Sequence, residues 1–185
     1  MTSPRESAAI RLRPAAESDR AEVYRWLAHS DVTRSMLGPP VFPELPAPTW
    51  DEFCADYAPY FFTGARPDLG RSFIVEAGGE AVGQVNYAIA ASASPATAEL
   101  DIWMRSEADT GQGWGPAALR ALVDDLRATL GITEFVIRPS ARNPRAVRAY
   151  EKAGFERRTI SEADQAELWG AGDYADTVVL RMCRP

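Results

Sequence analysis

Histidine occurs once in this sequence, at His29, and cysteine twice, at Cys54 and Cys183, far apart and each without a second cysteine nearby. That scarcity argues against a disulfide framework and against a zinc site built on Cys and His, and no metal is expected. Lysine is nearly absent as well: Lys152 is the only one among 20 basic residues, so almost all positive charge is arginine. Acidic residues outnumber basic ones by 26 to 20, a net charge of −6. That balance argues against a nucleic-acid partner, since phosphate recognition needs a positive field, and it is compatible with cationic substrates. Long hydrophobic runs are missing too. No apolar stretch approaches the roughly 18 residues of a membrane-spanning helix, and the opening MTSPRESAAI has no basic end followed by an apolar run. The expectation is a cytoplasmic protein with no membrane partner.

What is present is ordinary for a folded domain. The chain has 185 residues, of which 46% are hydrophobic and 25% charged, enough for one core and without a composition break. A single domain over 1–185 is expected, with residues 1–8 as a flexible start. AIRLRPAA alternates apolar and polar residues and predicts a strand over about 9–13. ESDRAEVYRWLAHSD places Val23, Trp26 and Leu27 at helical spacing, with Ser18 or Asp19 as its cap. Five prolines between Gly38 and Pro48 forbid regular structure, and that segment is a candidate lid. TWDEFCADYAPYFF predicts a short aromatic-rich helix capped by Thr49. Two apolar runs around Gly78-Gly79 predict a β-hairpin.

TAELDIWM at 97–104 predicts a strand with Leu100, Ile102 and Met104 on one face and Glu99, Asp101 and Trp103 on the other. ITEFVIRPS predicts a strand ended by proline. NPRAVRAYEKAGF predicts a helix with Asn143 at its cap, Pro144 at its first position and Gly154 as its stop. A short strand within 156–161 and a closing strand in YADTVVLRM complete the chain.

Between the 97–104 strand and the next helix lies DTGQGWGPAALRALVDDLRATLG, with glycines at 111, 113 and 115. Leu119, Leu122, Val123, Leu126 and Leu130 form one stripe, so the helix is expected to pack on a sheet with its amino end at the glycine loop. The first amides of a helix lack internal partners and its dipole makes that end partly positive. Alternating glycines let successive N–H groups converge on an anion, with no side chain in its way. A plain strand-to-helix turn is the bland alternative. The residues after the last glycine, Pro116 and Ala117, rule out a P-loop, and the glycine spacing does not suit a dinucleotide fingerprint.

TGQGWGPAALRAL, followed by RPSARNPRAVRAYEKAGFE, resembles the GNAT superfamily of acetyl-CoA-dependent N-acetyltransferases. Gly113 and Gly115 fill the glycine slots of that family's pyrophosphate loop, Arg/Gln-x-x-Gly-x-Gly/Ala, although Thr110 stands where the pattern has Arg or Gln. Asn143, Ala146, Tyr150, Gly154 and Phe155 fit its Asn-x-x-Ala-x-x-x-Tyr-x-x-x-Gly-Phe signature. The resemblance extends from about residue 9 to 182, and within the superfamily it is similar in kind and order to the aminoglycoside 6′-N-acetyltransferases. It implies an α/β (α+β) GNAT fold: a central mixed, mostly antiparallel sheet of six to seven strands flanked by about four helices.

The same resemblance implies acetyl-CoA as co-substrate. Backbone groups at Ile102, Trp103 and Met104 would pair with the pantetheine arm, and an N–H near Trp103 or Met104 would face the thioester oxygen. Gly111, Gln112, Gly113, Trp114, Gly115, Pro116 and Ala117 would hold the pyrophosphate, and Asn143 the pantetheine amides unless it is only a helix cap. Arg142, Arg145 or Arg148 could reach a ribose phosphate. Asp101 aligns with the acidic residue that meets the substrate amine, with Glu99 as its alternate. A carboxylate with an ordinary pKa near 4 is a weak base, so attraction of the ammonium and acceptance of its proton through water is the expected role. A solvated strand-face carboxylate is the alternative. Tyr150 fits the family's general acid for the departing thiolate, with core packing as the competing reading.

Substrate contacts are expected from Trp50, Tyr57, Tyr60 and the proline-rich segment, with Asn86 and Tyr87 at the hairpin end and Asp173 and Asp176 adding negative charge. The partner is then a small-molecule primary amine, an aminoglycoside or similar polyamine, and a homodimer is compatible with the reading. Two alternatives stand beside it: acetylation of a protein amino terminus, and an acetyl-CoA-binding regulatory module without catalysis.

Overall fold

The computed structural model describes residues 9–33, 47–89, 97–169 and 176–183, and the side chains of all of these except residues 162 and 167–169. Seven strands form one sheet: β1 (Ile10–Pro14), β2 (Gly70–Ala77), β3 (Glu80–Ile89), β4 (Thr97–Met104), β5 (Glu134–Ile137), β6 (Glu156–Arg158) and β7 (Val179–Cys183), in the order β1-β2-β3-β4-β5-β7-β6. Among the described strands only β4 and β5 run parallel; every other neighbouring pair is antiparallel. This is the mixed, mostly antiparallel sheet of six to seven strands that the resemblance implies. Among the described residues six α-helices accompany it: α1 (Arg20–His29), α2 (Trp50–Asp56), α3 (Tyr60–Thr63), α4 (Trp114–Leu130), α5 (Pro144–Ala153) and α6 (Glu162–Trp169).

Strand alternation sorts the core into two layers. On one face Val75, Val85, Tyr87, Leu100 and Ile102 pack against Leu119, Leu122, Val123 and Leu126 of α4 and Tyr150 and Ala153 of α5. On the other, Ile74 and Trp103 pack against Val23 and Trp26 of α1 and Phe53, Phe61 and Phe62 of α2 and α3. Leu130, assigned to the apolar stripe of α4, is instead exposed at its last turn. The predicted helix over 49–62 is two helices, because Pro59 starts a new one and the bonding of α2 ends at Tyr57, whose amide reaches Phe53 O at 2.8 Å.

The cap of Thr49 is as expected, its hydroxyl accepting from the Glu52 amide at 3.3 Å. Asp19 does not cap α1 with its side chain. A short 3-10 turn (Glu17–Asp19) precedes the helix, and the Asp19 carboxylate accepts from the Ala16 amide at 2.8 Å and from Arg13 at 2.9 and 3.1 Å. The proline-rich candidate lid lies outside the described residues except for Ala47 and Pro48, and residues 1–8 lie outside them altogether. Among the described residues no helix is long and apolar enough to cross a membrane.

Candidate active site

The site begins where the sheet opens. β4 pairs with β5 only at Thr97–Glu134, Ala98–Phe135 and Glu99–Val136, while β4 itself continues to Met104. From Leu100 onward β4 is bonded to β3 alone. The alternation of an antiparallel ladder fixes which groups face the gap: the Arg105 amide reaches Val82 O on the β3 side at 2.9 Å, so Trp103 also points its N–H toward β3, and those of Ile102 and Met104 point away. The Ile102 amide is taken by Asp101 Oδ1 at 2.8 Å. Met104, rather than Trp103, therefore offers a backbone donor to the gap.

A cavity of about 250 Å³ lies on the α4 and α5 side of this opening, lined by Ile102, Trp103, Met104, Thr110, Gly111, Gly113, Trp114, Gly115 and Pro116 from β4 and the glycine loop, and by Asn143, Ala146, Ala149 and Tyr150 from α5. Helix α4 starts earlier than the sequence suggests, at Trp114, with Gly113 as its cap. Gly111 and Gly113 have φ of +73° and +86°, the left-handed conformation that glycine reaches without strain. The first intrahelical bond is Ala117 N to Gly113 O at 3.2 Å. Pro116 has no N–H, so the amides left without a helical partner are those of Gly113, Trp114 and Gly115. Ala117 is thereby removed from the anion-binding set, and Gln112, exposed and turned back toward Ala108 O at 3.5 Å, does not line the cavity.

A Cβ built on Gly115 would meet nothing nearer than Ile102 Cδ1 at 4.0 Å, so the room beside its amide is open space facing the cavity. A diphosphate fits this cradle, and the apolar trough between Ile102 and Ala149 fits an extended arm. Asn143 Oδ1 caps α5 by accepting from the Ala146 amide at 3.1 Å. Of the three arginines, Arg142 is paired with Asp176, Arg145 holds Glu107 through two bonds of 2.7 and 2.9 Å at the cavity wall, and Arg148 lines the cavity.

A second cavity, of about 570 Å³, opens on the opposite side of the gap and is lined by Asp56, Tyr57, Phe61, Asn86, Glu99, Asp101, Ile137, Arg138, Tyr150 and Thr177 among others. Asp101 projects into it, in reach of water yet surrounded by protein. Its Oδ2 accepts from the Tyr57 hydroxyl at 2.9 Å. Enclosure raises the Asp101 pKa above the ordinary carboxylate value, while the bonds from Tyr57 and Ile102 and the charge of Arg138 pull it back. Glu99 is bonded to the Arg138 guanidinium at 2.7 Å, and its pKa too is raised by burial and opposed by that cation.

Tyr150 lines both cavities. It is 8% exposed, and its hydroxyl has no hydrogen-bond partner among the described residues. Burial, then the charge of Asp101, pushes the Tyr150 phenol well above 10. A phenol so held stays protonated at neutral pH and keeps its O–H available to donate. It lines both cavities, and Asp101, whose charge it feels, lines the second with it.

Several expected substrate contacts are not brought to this cavity. Tyr87 lies on the other face of β3, buried at 2% exposure, and donates to Pro67 O at 2.9 Å. Adjacent strand residues point opposite ways, so Asn86 and Tyr87 cannot both line one site. Trp50 is exposed against Tyr24 and Phe53, and Tyr60 stacks on Phe61; neither lines the cavity. Asp176 is spent on Arg142, and Asp173 lies outside the described residues. His29 makes an edge-to-face contact with Tyr24 away from both cavities. Sequence reading missed Arg138, Asp56 and Thr177. The signal for Arg138 was its place at the carboxyl end of a parallel strand, where open α/β sheets gather their ligands.

Comparison with known proteins bears on the family and the fold. The family model described as an acetyltransferase (GNAT) domain matches residues 9–156. An aminoglycoside N(6′)-acetyltransferase type 1 from Klebsiella pneumoniae is 28% identical over 165 residues, covering 84% of this chain and 78% of its own. The solved structure of AAC(6′)-Ib in complex with ribostamycin and coenzyme A aligns over 95% of this chain and 94% of that one, with a TM-score of 0.72 and 25% identity. A spermidine N-acetyltransferase from Vibrio cholerae, in complex with CoA and spermine, shares the fold at a TM-score of 0.67 and 20% identity over 94% of this chain and 95% of its own.

Proposed function

Since the chain belongs to the GNAT acetyltransferase family, we propose that it is a single-domain enzyme transferring the acetyl group of acetyl-CoA to a primary amine of a small molecule of the aminoglycoside type. The observation that carries the reading is the pair of cavities meeting at Tyr150 where β4 and β5 part. One cavity has the diphosphate cradle and the other the carboxylate for an amine. The named relatives that act on aminoglycosides support the choice of acceptor.

Acetyl-CoA supplies an activated acyl group on sulfur. The unpaired amides of Gly113, Trp114 and Gly115 hold its diphosphate at the positive end of α4. The Met104 amide is placed to bond the carbonyl oxygen that gains charge during transfer. Asp101, steadied by Tyr57 and the Ile102 amide, draws the acceptor ammonium into the second cavity and takes its proton through water. The neutral amine then forms the N–C bond as the C–S bond breaks. Tyr150, which among the described residues lines both cavities, delivers its phenolic proton to the departing sulfur, and the phenolate regains one through water as the acylated nitrogen sheds its extra proton. Asp101 is preferred over Glu99 for the amine because the Glu99 carboxylate is engaged by Arg138.

The test is a thiol-release screen over aminoglycosides, polyamines and short peptides in the presence of acetyl-CoA. Turnover with aminoglycosides is the expected result. Turnover confined to peptides would replace the acceptor with a protein amino terminus, and acetyl-CoA binding without any turnover would make the chain a regulatory module.

A further inference from the structure

Among the described residues that line the acceptor cavity there are three carboxylates, Asp56, Glu99 and Asp101, and a single cation, Arg138. Glu99 and Asp101 stand two residues apart on the same face of β4, an arrangement that by itself would suit two neighbouring ammonium groups on one acceptor. Arg138 changes that. It follows β5 directly, at the point where β5 leaves β4, and its Nε and one terminal nitrogen both meet Glu99 Oε1 at 2.7 Å. The two side chains are 22% and 33% exposed, so the pair is partly withdrawn from water and its charges are less screened than on an open surface. Glu99 is thereby compensated. The inner wall is left with Asp101, which Tyr57 and the Ile102 amide bond but which the guanidinium beside it reaches only by its charge, while exposed Asp56 stands farther out at the end of α2.

Resting on the amine-acetyltransferase reading above, we infer that Arg138 sets acceptor selectivity: the cavity takes a primary amine whose near neighbour is an oxygen group, hydroxyl, ether or carboxylate, and rejects one carrying a second ammonium a few bonds away. One ammonium meets Asp101 while the electron-rich oxygen lies toward the guanidinium. A second ammonium in that place meets like charge, a juxtaposition that interfaces use to exclude wrong partners. Remote positive charge is tolerated because it reaches Asp56. Amino sugars satisfy this pattern, and short linear diamines do not.

The experiment compares 3-amino-1-propanol with 1,3-diaminopropane, alike in length and differing in one charged end, in wild type, Arg138→Gln and Arg138→Lys. Thiol release gives kcat/KM for each, and calorimetry on the CoA-bound protein gives their affinities. Wild type is expected to prefer the amino alcohol by about tenfold or more, the scale of a single unfavourable charge contact. Arg138→Gln is expected to erase most of that preference by lowering KM for the diamine, and Arg138→Lys to keep it. Because the readout is a ratio within one protein, a general loss of stability leaves it unmoved. A diamine preference in wild type, or a ratio in Arg138→Gln equal to that of wild type, overturns the inference. If no amine of any kind is acetylated, the proposed function fails, and the calorimetric ratio still decides the role of Arg138.

Discussion

Asp101 shows how one side chain can be tuned by neighbours from three elements. Enclosure by the cavity raises its pKa, and Tyr57 from beyond α2, the Ile102 amide and the Arg138 charge hold it in its ionised form. As the carboxylate is the form that draws in an ammonium, kcat/KM should rise with pH through an acidic limb lying above the ordinary Asp value of 3.8. Asp101→Asn should remove that limb and lower kcat/KM by about 10²-fold or more, the usual contribution of a positioned acid or base; a limb that persists in the variant would assign it elsewhere. The same shift has a stability consequence. A carboxyl group with a raised native pKa contributes stability that is present below its unfolded pKa and lost as pH rises through the native one. Asp101→Asn, neutral throughout, should therefore gain more in melting temperature relative to wild type at pH 7 than at pH 3.5, measurable by thermal melts at both values. For Tyr150, whose phenol is kept protonated by burial and by Asp101, replacement by Phe should lower kcat at least tenfold while leaving calorimetric CoA affinity unchanged. An unaltered rate would remove it from the chemistry.

Elements with strong local punctuation were legible in the sequence. Asn143, Pro144 and Gly154 delimit α5 as expected, since cap, first-turn proline and left-handed stop each act within a turn of the boundary they set. The loop before α4 was legible for the same reason. Gly113→Ala tests it: an alanine forced to a φ near +86° should cost about 1–2 kcal/mol and turn the amides of the loop aside, weakening CoA binding at least tenfold by calorimetry. Other elements were missed although their signals existed. Ser161 starts α6 by accepting from the Asp164 amide at 3.1 Å and donating to its carboxylate at 2.7 Å, a capping pattern visible as SEAD but not followed by a clear apolar stripe. Asp19 was read as a local cap, whereas its carboxylate binds Arg13, which also binds Glu76 of β2 at 2.8 Å. This clamp joins β1, β2 and the turn before α1, and Arg13 holds the Asp19 pKa below 3.8. Stability from such a depressed carboxylate is present above its unfolded pKa and lost as pH falls through the native one. Asp19→Ala should cost about 1–2 kcal/mol in urea unfolding at pH 7 and less at pH 3; an equal cost at both values would deny the ion pair its part.

At the scale of the whole molecule, function depends on a sheet that fails to close. Three residue pairs join β4 to β5, and the rest of β4 borders an opening that connects the cradle at α4 with the acidic cavity beneath α2 and α3. The motifs that suggested the family lie along the cradle side, where short stretches of sequence carry the signal. The acceptor side was far less legible, because it is assembled from α2, α3, β3, β4, β5, α5 and Thr177 two positions before β7, and pairings such as Glu99 with Arg138 or Tyr57 with Asp101 span 39 and 44 positions. Aromatic character alone drew in Trp50, Tyr60 and Tyr87, which serve packing instead. The central claim is that the diphosphate of CoA docks on the amides that open α4, and Gly115 offers the sharpest probe. Its backbone needs no left-handed conformation, and the space beside it faces only the cavity. Calorimetric titration of CoA into wild type and Gly115→Val is the decisive measurement. Saturable binding by wild type, weakened at least tenfold in a variant that still melts cooperatively, is the predicted result; no heat with wild type, or equal affinity in the two proteins, would contradict it.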